Sequence, residues 1–261
     1  MQIKIRFYKY QGAGNDFIII DNRERRFDKN DVSAIRFLCD RRFGIGADGL
    51  MLLETHPDYD FKMFYFNSDG PEASMCGNGG RCIVAFANKL GIIQNHAMFL
   101  AVDGPHEASI EESGGVNLKM VDVTGYEKIS EDYFMDTGSP HYVTFRDSLE
   151  GLDVFDEGRK IRYSSRFKEK GTNVNFTQLH DGMLTVYTYE RGVEDETLAC
   201  GTGITAAALC AAVKTGKTEG EFKVAAKGGN LRVSFKRDGN GFKDIWLKGP
   251  ATFVFEGEIE F

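Results

Sequence analysis

The order of apolar and polar positions divides the chain into short alternating or apolar runs, most of them closed by a glycine-bearing turn. Residues 2–8 alternate, with Ile3, Ile5 and Phe7 on one face, which predicts a first strand. After the tight loop Gln11-Gly12-Ala13-Gly14-Asn15, residues 17–20 read as a short buried strand. Asn30 or Asp31 can cap a helix reaching about residue 40 and burying Ile35, Leu38 and Cys39. The pattern then predicts strands at 50–54, 61–66, 98–102, 107–110 and 116–123. Between the second and third of these lies a small, apolar run at 82–87, apolar nearly all round and so read as a buried helix ending near Gly91.

The second half repeats that plan. Strands are predicted near Tyr133 and at 142–145, and an amphipathic helix at 154–166. Strands at 173–179 and 184–190 follow, the latter rich in Thr, Val and Tyr. A second all-apolar run at 206–213 ends at Gly216, and strands at 221–226, 231–236, 242–247 and 251–255 complete the pattern. Many strands with only four helices argue for an α+β class over a doubly wound parallel sheet.

The two buried helices share an entrance. Met75-Cys76-Gly77-Asn78-Gly79-Gly80 leads into the first and Ala199-Cys200-Gly201-Thr202-Gly203-Ile204 into the second. Glu72 and Glu196 each lie four residues before the cysteine, and Gly14-Asn15-Asp16-Phe17 has an echo in Gly138-Ser139-Pro140-His141. A duplicated domain is the natural inference. The expected division gives residues 1–115 plus 250–261 to one domain and 116–249 to the other, with no low-complexity linker between them.

Composition narrows the functional classes. The 261 residues are 42% hydrophobic and 27% charged, as in a globular protein with a sizeable core. A formal net charge of −7 leaves no basic footprint for nucleic acid. No apolar run approaches the roughly 18 residues of a membrane helix. Five cysteines without a dense framework fit a reducing, cytoplasmic compartment. The Gly-x-Gly pieces lack a Walker lysine and the dinucleotide spacing, and five scattered histidines with no C-x-x-C pair give no zinc site.

Cys39, Cys82 and Cys210 fall on apolar helix faces and read as small hydrophobes. Cys76 and Cys200 differ, because each begins a helix, where unpaired N–H groups favour a thiolate. Two matched thiols supply a base and an acid that exchange roles with direction, the requirement for inverting a carbon centre. The N–H groups of Gly77, Asn78, Gly201 and Thr202 would gather a substrate carboxylate. A thiol/disulfide switch is the competing use.

The chain resembles the diaminopimelate epimerase family along its whole length. The resemblance is carried by Gly14-Asn15-Asp16-Phe17, Met75-Cys76-Gly77-Asn78-Gly79, Thr172-Asn173-Val174-Asn175-Phe176, Glu190-Arg191-Gly192 and Leu198-Ala199-Cys200-Gly201-Thr202-Gly203. Proline and hydroxyproline racemases share the fold and thiol pair but typically carry His where Asn78 stands. The resemblance implies two pseudo-symmetric domains, each a curved, mixed and mostly antiparallel sheet around a central helix, with the site in the cleft between. It implies an enzyme that needs no cofactor or metal and interconverts LL- and meso-2,6-diaminopimelate, on the route to lysine and cell-wall peptide.

The same resemblance makes Cys76 and Cys200 the acid/base pair, and Gly77, Asn78, Gly201 and Thr202 the holders of the reacting end. Asn15, Asn67, Asn173, Glu190 and Arg191 then contact the amino and carboxylate groups, while His141 and Glu190 tune the thiols. Ser139 stands where many relatives have Asn, Gly49 replaces a Gln of some members, and the 190–200 loop is one residue longer than the commonest form. A homodimer is implied, with Phe255 where the family often has a Tyr at the dimer contact.

Overall fold

The structure, a computed structural model, describes residues 4–73 and 75–260; residues 2 and 3 of the expected first strand lie outside the described residues. In chain order come β1 (Lys4–Gly12), β2 (Asn15–Asp21), α1 (Val32–Cys39), β3 (Gly49–Glu54), β4 (Phe61–Asn67), α2 (Gly77–Lys89), β5 (His96–Ala101), β6 (Gly104–Ile110) and β7 (Val116–Lys119). There follow β8 (Tyr126–Ile129), β9 (Asp132–Asp136), β10 (Pro140–Phe145), α3 (Val154–Arg162), β11 (Asn173–His180), β12 (Met183–Glu190) and β13 (Asp195–Thr197). The last elements are α4 (Gly201–Thr215), β14 (Glu219–Ala226), β15 (Gly229–Asp238), β16 (Gly241–Gly249) and β17 (Thr252–Glu260). The chain forms two compact units: the first runs to Leu118 and resumes at Pro250, and the second is Lys119–Gly249.

In the first unit the strands pair in the order β17-β1-β2-β3-β4-β5-β6-β7. The pairings β2–β3 and β4–β5 are parallel and the rest antiparallel. In the second unit the order is β8-β9-β10-β11-β12-β14-β15-β16, with β10–β11 and β12–β14 parallel. The two sequences of pairings are therefore identical, which is the fold of a pseudo-symmetric repeat. Each unit wraps its sheet around one helix: α2 packs on β1, β2, β3, β6 and β17, and α4 on β9 to β12 and β14 to β16.

Each central strand is buried on both faces, because a second helix covers the outer side. Ile35, Leu38 and Cys39 of α1 join Ile18, Ile20, Leu50 and Leu52 in one core. Val154 of α3 joins Val174, Phe176 and Tyr189 in another. Alternate residues on the same strands turn inward to α2 and α4. That double burial is why these strands read as continuous apolar runs.

The caps follow their local chemistry. The carboxylates of Asp31 and Asp153 accept from the N–H groups of Ala34 and Asp156 at the starts of α1 and α3. Gly216 ends α4 at φ 71°, the left-handed conformation a non-glycine residue adopts at a cost. Two expectations needed correction. The helix from Val154 stops at Arg162, since after Tyr163 the chain turns to bury Phe167. The strand beginning at Val116 ends at Lys119, not 123. The strands β8 and β13 went unforeseen, being short and largely polar.

Candidate active site

Two thiol centres are present, one in each unit. Cys76 is the N-cap of α2 and Cys200 the N-cap of α4, both with extended backbone (φ −92°, ψ 131° and φ −109°, ψ 112°) and both half-buried. The first intrahelical bonds run from Gly80 N to the carbonyl of Cys76 and from Ile204 N to that of Cys200. First-turn N–H groups have no acceptor within their helix, so the end of each helix favours an anion. Gly77, Asn78 and Gly201 are buried at these starts. The other three cysteines fill apolar space; burial pushes Cys39 and Cys82 up to about 12, and Cys210 upward as well.

The strands beneath the two helices correspond register by register. Phe17 pairs with Gly49, and His141 with Asn173; Gly49 pairs with Asn67, and Met51 with Tyr65. In the second unit Asn175 pairs with Thr188. Phe17, Met51 and Tyr65 thus occupy the places of His141, Asn175 and Thr188. The third residue after each cysteine confirms the match. A methyl on Gly79 would lie 3.3 Å from the sulfur of Met51 and 3.5 Å from Phe17. A methyl on Gly203 would lie 2.3 Å from Asn175 Oδ1 and 3.2 Å from His141 Cε1.

Below Cys200 the floor is polar. The Thr188 hydroxyl donates to Asn175 Oδ1 at 2.9 Å, and Asn175 Nδ2 donates to His141 Nδ1 at 3.0 Å and to the Tyr142 carbonyl at 3.2 Å. With Nδ1 accepting, a neutral His141 carries its proton on Nε2 and donates it to Thr202 Oγ1 at 2.9 Å. The Thr202 hydroxyl, its lone pair so engaged, can turn its own proton to Cys200 Sγ at 3.4 Å. Complete burial, and then the charge of Arg191, hold the imidazole down at about 3, which keeps it neutral at ordinary pH. Thr137 Oγ1 adds a bond to the Thr202 carbonyl at 2.9 Å. From Thr188 through Asn175, His141 and Thr202, one donor at each step is directed toward the sulfur.

Below Cys76 the floor is apolar, and polarity enters along the helix instead. Asn78 Nδ2 donates to Asn15 Oδ1, and Asn15 Nδ2 donates to Asp48 Oδ2 at 3.1 Å. Asp48 and Asp16 are gripped by Arg41, with Nη2 2.8 Å from Asp48 Oδ1 and 2.7 Å from Asp16 Oδ1. Lys9 Nζ lies 2.6 Å from Asp16 Oδ2, and Lys9 and Arg41 together hold the Asp16 carboxyl well below the usual range despite its burial.

The remaining expected residues fall on strand ends and turns near these helices. Asn67 ends β4, exposed, its carbonyl accepting from Gly70 N at 2.8 Å. Ser139 is half-buried in the turn before β10, and its carbonyl accepts from Thr137 N. Asn173 is buried; its Oδ1 accepts from Arg191 N at 2.8 Å and its Nδ2 donates to the Pro140 carbonyl at 3.2 Å. Glu190 ends β12, where burial raises its carboxyl. The exposed Arg191 donates from Nη1 to the Lys170 carbonyl at 3.1 Å. Gly49 is packed edge-on to Tyr65, so a side chain there would collide at 2.5 Å. Phe255 lies on β17, 45% exposed, with its ring edge-on to Phe7 at 5.9 Å.

Two residues were not expected. Glu194 takes hydroxyl protons from Tyr163 and Tyr189 at 3.0 and 3.1 Å and the Gly192 N–H at 3.2 Å, bracing the turn that presents Glu190 and Arg191. Arg81 is wholly buried in α2. An arginine directly before the apolar run at 82–87 was the available signal.

A family model described as diaminopimelate epimerase matches residues 7–125 and 133–254. The chain belongs to the diaminopimelate epimerase family. Among its relatives, the diaminopimelate epimerase of Flavobacterium psychrophilum is 52% identical, with 98% of this chain and all of that protein covered. The diaminopimelate epimerase of Chlorobaculum tepidum is 44% identical over 95% of this chain and 98% of its own. Among solved structures, a PhzF-family phenazine biosynthesis protein of Bacillus anthracis superposes with a TM-score of 0.73 at 14% identity, over 98% of this chain and 99% of that one. A hydroxyproline epimerase from Agrobacterium vitis gives 0.69 at 12% identity, over 99% and 93%. The last two likenesses show the fold alone. Family membership makes the protein an isomerase of the epimerase kind. No described helix is long and apolar enough to cross a membrane.

Proposed function

We propose that this protein interconverts LL- and meso-2,6-diaminopimelate without cofactor or metal, in the cytoplasm, as a step toward lysine and peptidoglycan precursors. The observation that carries the mechanism is the matched placement of Cys76 and Cys200 as N-caps of the buried helices in two units of identical pairing order. One thiolate takes the α-proton: the C–H bond breaks, an S–H bond forms, and the electron pair passes into the carboxylate as an enediolate. The other thiol then gives its proton to the opposite face of the same carbon, and the charge on sulfur has changed sides. Reversal needs no further group, because each sulfur ends as the other began.

The first-turn N–H groups of Gly77, Asn78, Gly201 and Thr202 receive the carboxylate and stabilise its growing charge. Asn15, Asn67, Ser139, Asn173, Glu190 and Arg191 hold the amino groups and the second carboxylate, a guanidinium suiting the anion and acidic or amide oxygens the ammonium. His141 and Glu190 tune the thiols. The same reading takes the two units as the enzyme's domains and the exposed face of β17 around Phe255 as a homodimer contact.

The test is incubation with LL-diaminopimelate in deuterated water, free of pyridoxal phosphate and metal. The reading requires meso product carrying one deuterium at the inverted α-carbon. Turnover of proline instead would move the assignment to the racemase branch. Inert substrate together with a reversible Cys76–Cys200 disulfide would establish the redox use.

A further inference from the structure

A line of directed hydrogen bonds runs through the first unit from α2 to the turn after α1. Arg81, wholly buried, donates from Nη2 to Asn78 Oδ1 at 2.8 Å, from Nη1 to the Gly77 carbonyl at 3.2 Å and from Nε to the Pro250 carbonyl at 3.3 Å. Asn78 Nδ2 donates to Asn15 Oδ1, and Asn15 Nδ2 donates to Asp48 Oδ2 at 3.1 Å. The other oxygen of Asp48 accepts from Arg41 Nη2 at 2.8 Å. The ends of this line decide the direction of everything between them, because a guanidinium can only donate and a carboxylate can only accept. Both amides turn an oxygen toward the Arg81 end and a nitrogen toward the Asp48 end. Flipping either one alone would set two donors or two acceptors face to face.

The turn between α1 and β3 is what brings Asp48 there. The N–H groups of Ile45 and Gly46 donate to the Leu38 carbonyl and that of Ala47 to Cys39, so the chain folds back over the end of α1. A methyl on Gly44 would lie 1.9 Å from the Phe37 carbonyl oxygen, a closeness only glycine permits. Arg41, in this turn, reaches Asp16 as well, with Nη1 and Nη2 at 3.0 and 2.7 Å from its two oxygens. Asp16 and Asp48 accept from one another's backbone: Asp16 N lies 3.3 Å from Asp48 Oδ2, and Asp48 N lies 3.2 Å from Asp16 Oδ1. Two carboxylates this close repel, and Arg41 and Lys9 offset that repulsion.

The second unit joins the corresponding strands with uncharged residues. Asp16 and Asp48 stand one residue before the paired Phe17 and Gly49, and Pro140 and Thr172 stand one residue before the paired His141 and Asn173. There the Thr172 hydroxyl donates to the Pro140 carbonyl at 3.2 Å. Neutral groups therefore meet the needs of the strand entry, and the carboxylate at position 48 has a further use. That use lies in the bond it makes, since Oδ2 takes one N–H of Asn15. With Oδ1 engaged by Asn78, the half-buried Asn15 keeps its second N–H to offer a ligand.

We propose that Asp48, clamped by Arg41, is a positioning residue that turns the Asn15 amide so that it presents an N–H donor, the complement of a substrate carboxylate. The proposal rests on the reading of Asn15 as a substrate contact, and it adds the polarity of that contact. Asp48 touches no substrate and acts through Asn15. An uncharged amide at position 48 could donate or accept, so it would let the Asn15 amide take either orientation and present either its nitrogen or its oxygen.

Two measurements on the whole chain test this. Steady-state epimerisation of LL-diaminopimelate should show Asp48→Asn raising KM about fivefold to tenfold with kcat held within about twofold, the loss of a binding contact. In an Asn15→Ala background the same change should leave kcat/KM where Asn15→Ala alone puts it, since the two residues act as one. The second measurement needs no turnover: nuclear magnetic resonance of protein labelled with heavy nitrogen at asparagine, with the Asn15 side-chain signals identified by their loss in Asn15→Ala. The Asn15 proton held by the carboxylate should move upfield in Asp48→Asn. An unmoved proton would overturn the proposal, and so would a fall in kcat/KM as large in Asn15→Ala as in the parent, which would mark Asp48 as a support of the fold alone. If Asp48→Asn does not fold, Arg41→Gln, at a side chain 58% exposed, should change both readings in the same direction, and a folded Arg41→Gln that changes neither would overturn the proposal. A parent inert toward LL-diaminopimelate would sink the substrate reading, and the Asn15 proton would still decide the orientation.

Discussion

The Nε2 atom of His141 lies 2.9 Å from Oγ1 of Thr202, which makes a buried imidazole the donor to a hydroxyl and not to the thiol itself. The histidine sets which way the hydroxyl turns; the hydroxyl, 3.4 Å from the sulfur, is what Cys200 meets. Because the imidazole stays neutral, the chain carries hydrogen bonds and no net charge. It can favour the thiolate of Cys200 without committing the thiol to it.

Removing the hydroxyl isolates that contribution. Thr202→Val should raise the Cys200 alkylation midpoint by about one to two pH units, the equivalent of a hydrogen bond to a charged group worth about 1.5–3 kcal/mol. Cys76 should not move. An unchanged Cys200 midpoint would show that the threonine is packing alone.

Serine in place of either cysteine should cut epimerisation by about a hundredfold or more, since a hydroxyl is a far weaker acid. A substrate with a leaving group at the β-carbon needs only α-proton loss, so each single variant should still eliminate the isomer facing its remaining thiol. The double variant should eliminate neither. Equal elimination of both isomers by both single variants would show that the two thiols do not occupy opposite faces.

The glycines three residues after each cysteine should differ in tolerance. Gly203→Ala would put a methyl 2.3 Å from Asn175 Oδ1, dislodging the amide that orients His141, and activity should fall about a hundredfold. Gly79→Ala meets the flexible end of Met51 at 3.3 Å, and its loss should stay within about tenfold. Steady-state rates of the two variants settle the order.

Acid should destabilise the protein through His141. Its folded value of about 3 lies below the unfolded value of about 6.5, so its contribution to stability is complete above the latter and declines as pH falls toward the former. Urea denaturation at pH 7 and pH 5 should show a loss of about 2 kcal/mol from this group. His141→Gln should lack that loss, and an equal loss in the variant would assign it elsewhere.

The sequence carried the repeat well where chemistry is local. A cysteine before Gly-x-Gly, an apolar run and a terminal glycine specify a capped, buried helix without help from the rest of the fold. It was weaker where identity depends on distant partners. The echo of Phe17 in His141 was visible, but Met51 and Asn175 share neither size nor polarity and are matched only by strand register. Arg81 was hidden for a related reason. A charge usually marks an exposed face, and this one is made tolerable by the carbonyl of Pro250, 169 positions away. Strand β8, reading Tyr-Glu-Lys-Ile, offers no buried alternation; its pairing with β9 defines it.

The position of β17 has a consequence for how the molecule is made. The second unit is built from one unbroken stretch of chain, whereas the first borrows its edge strand, antiparallel to β1, from residues that follow the whole second unit in the chain. The half synthesised first is therefore the half completed last. Helix α2 shares in that delay, because Pro250, whose carbonyl holds Nε of Arg81, begins the late segment. A nascent chain paused before residue 250 would carry every residue of the second unit and a first unit in which the Arg81 guanidinium still lacks one of its three acceptors.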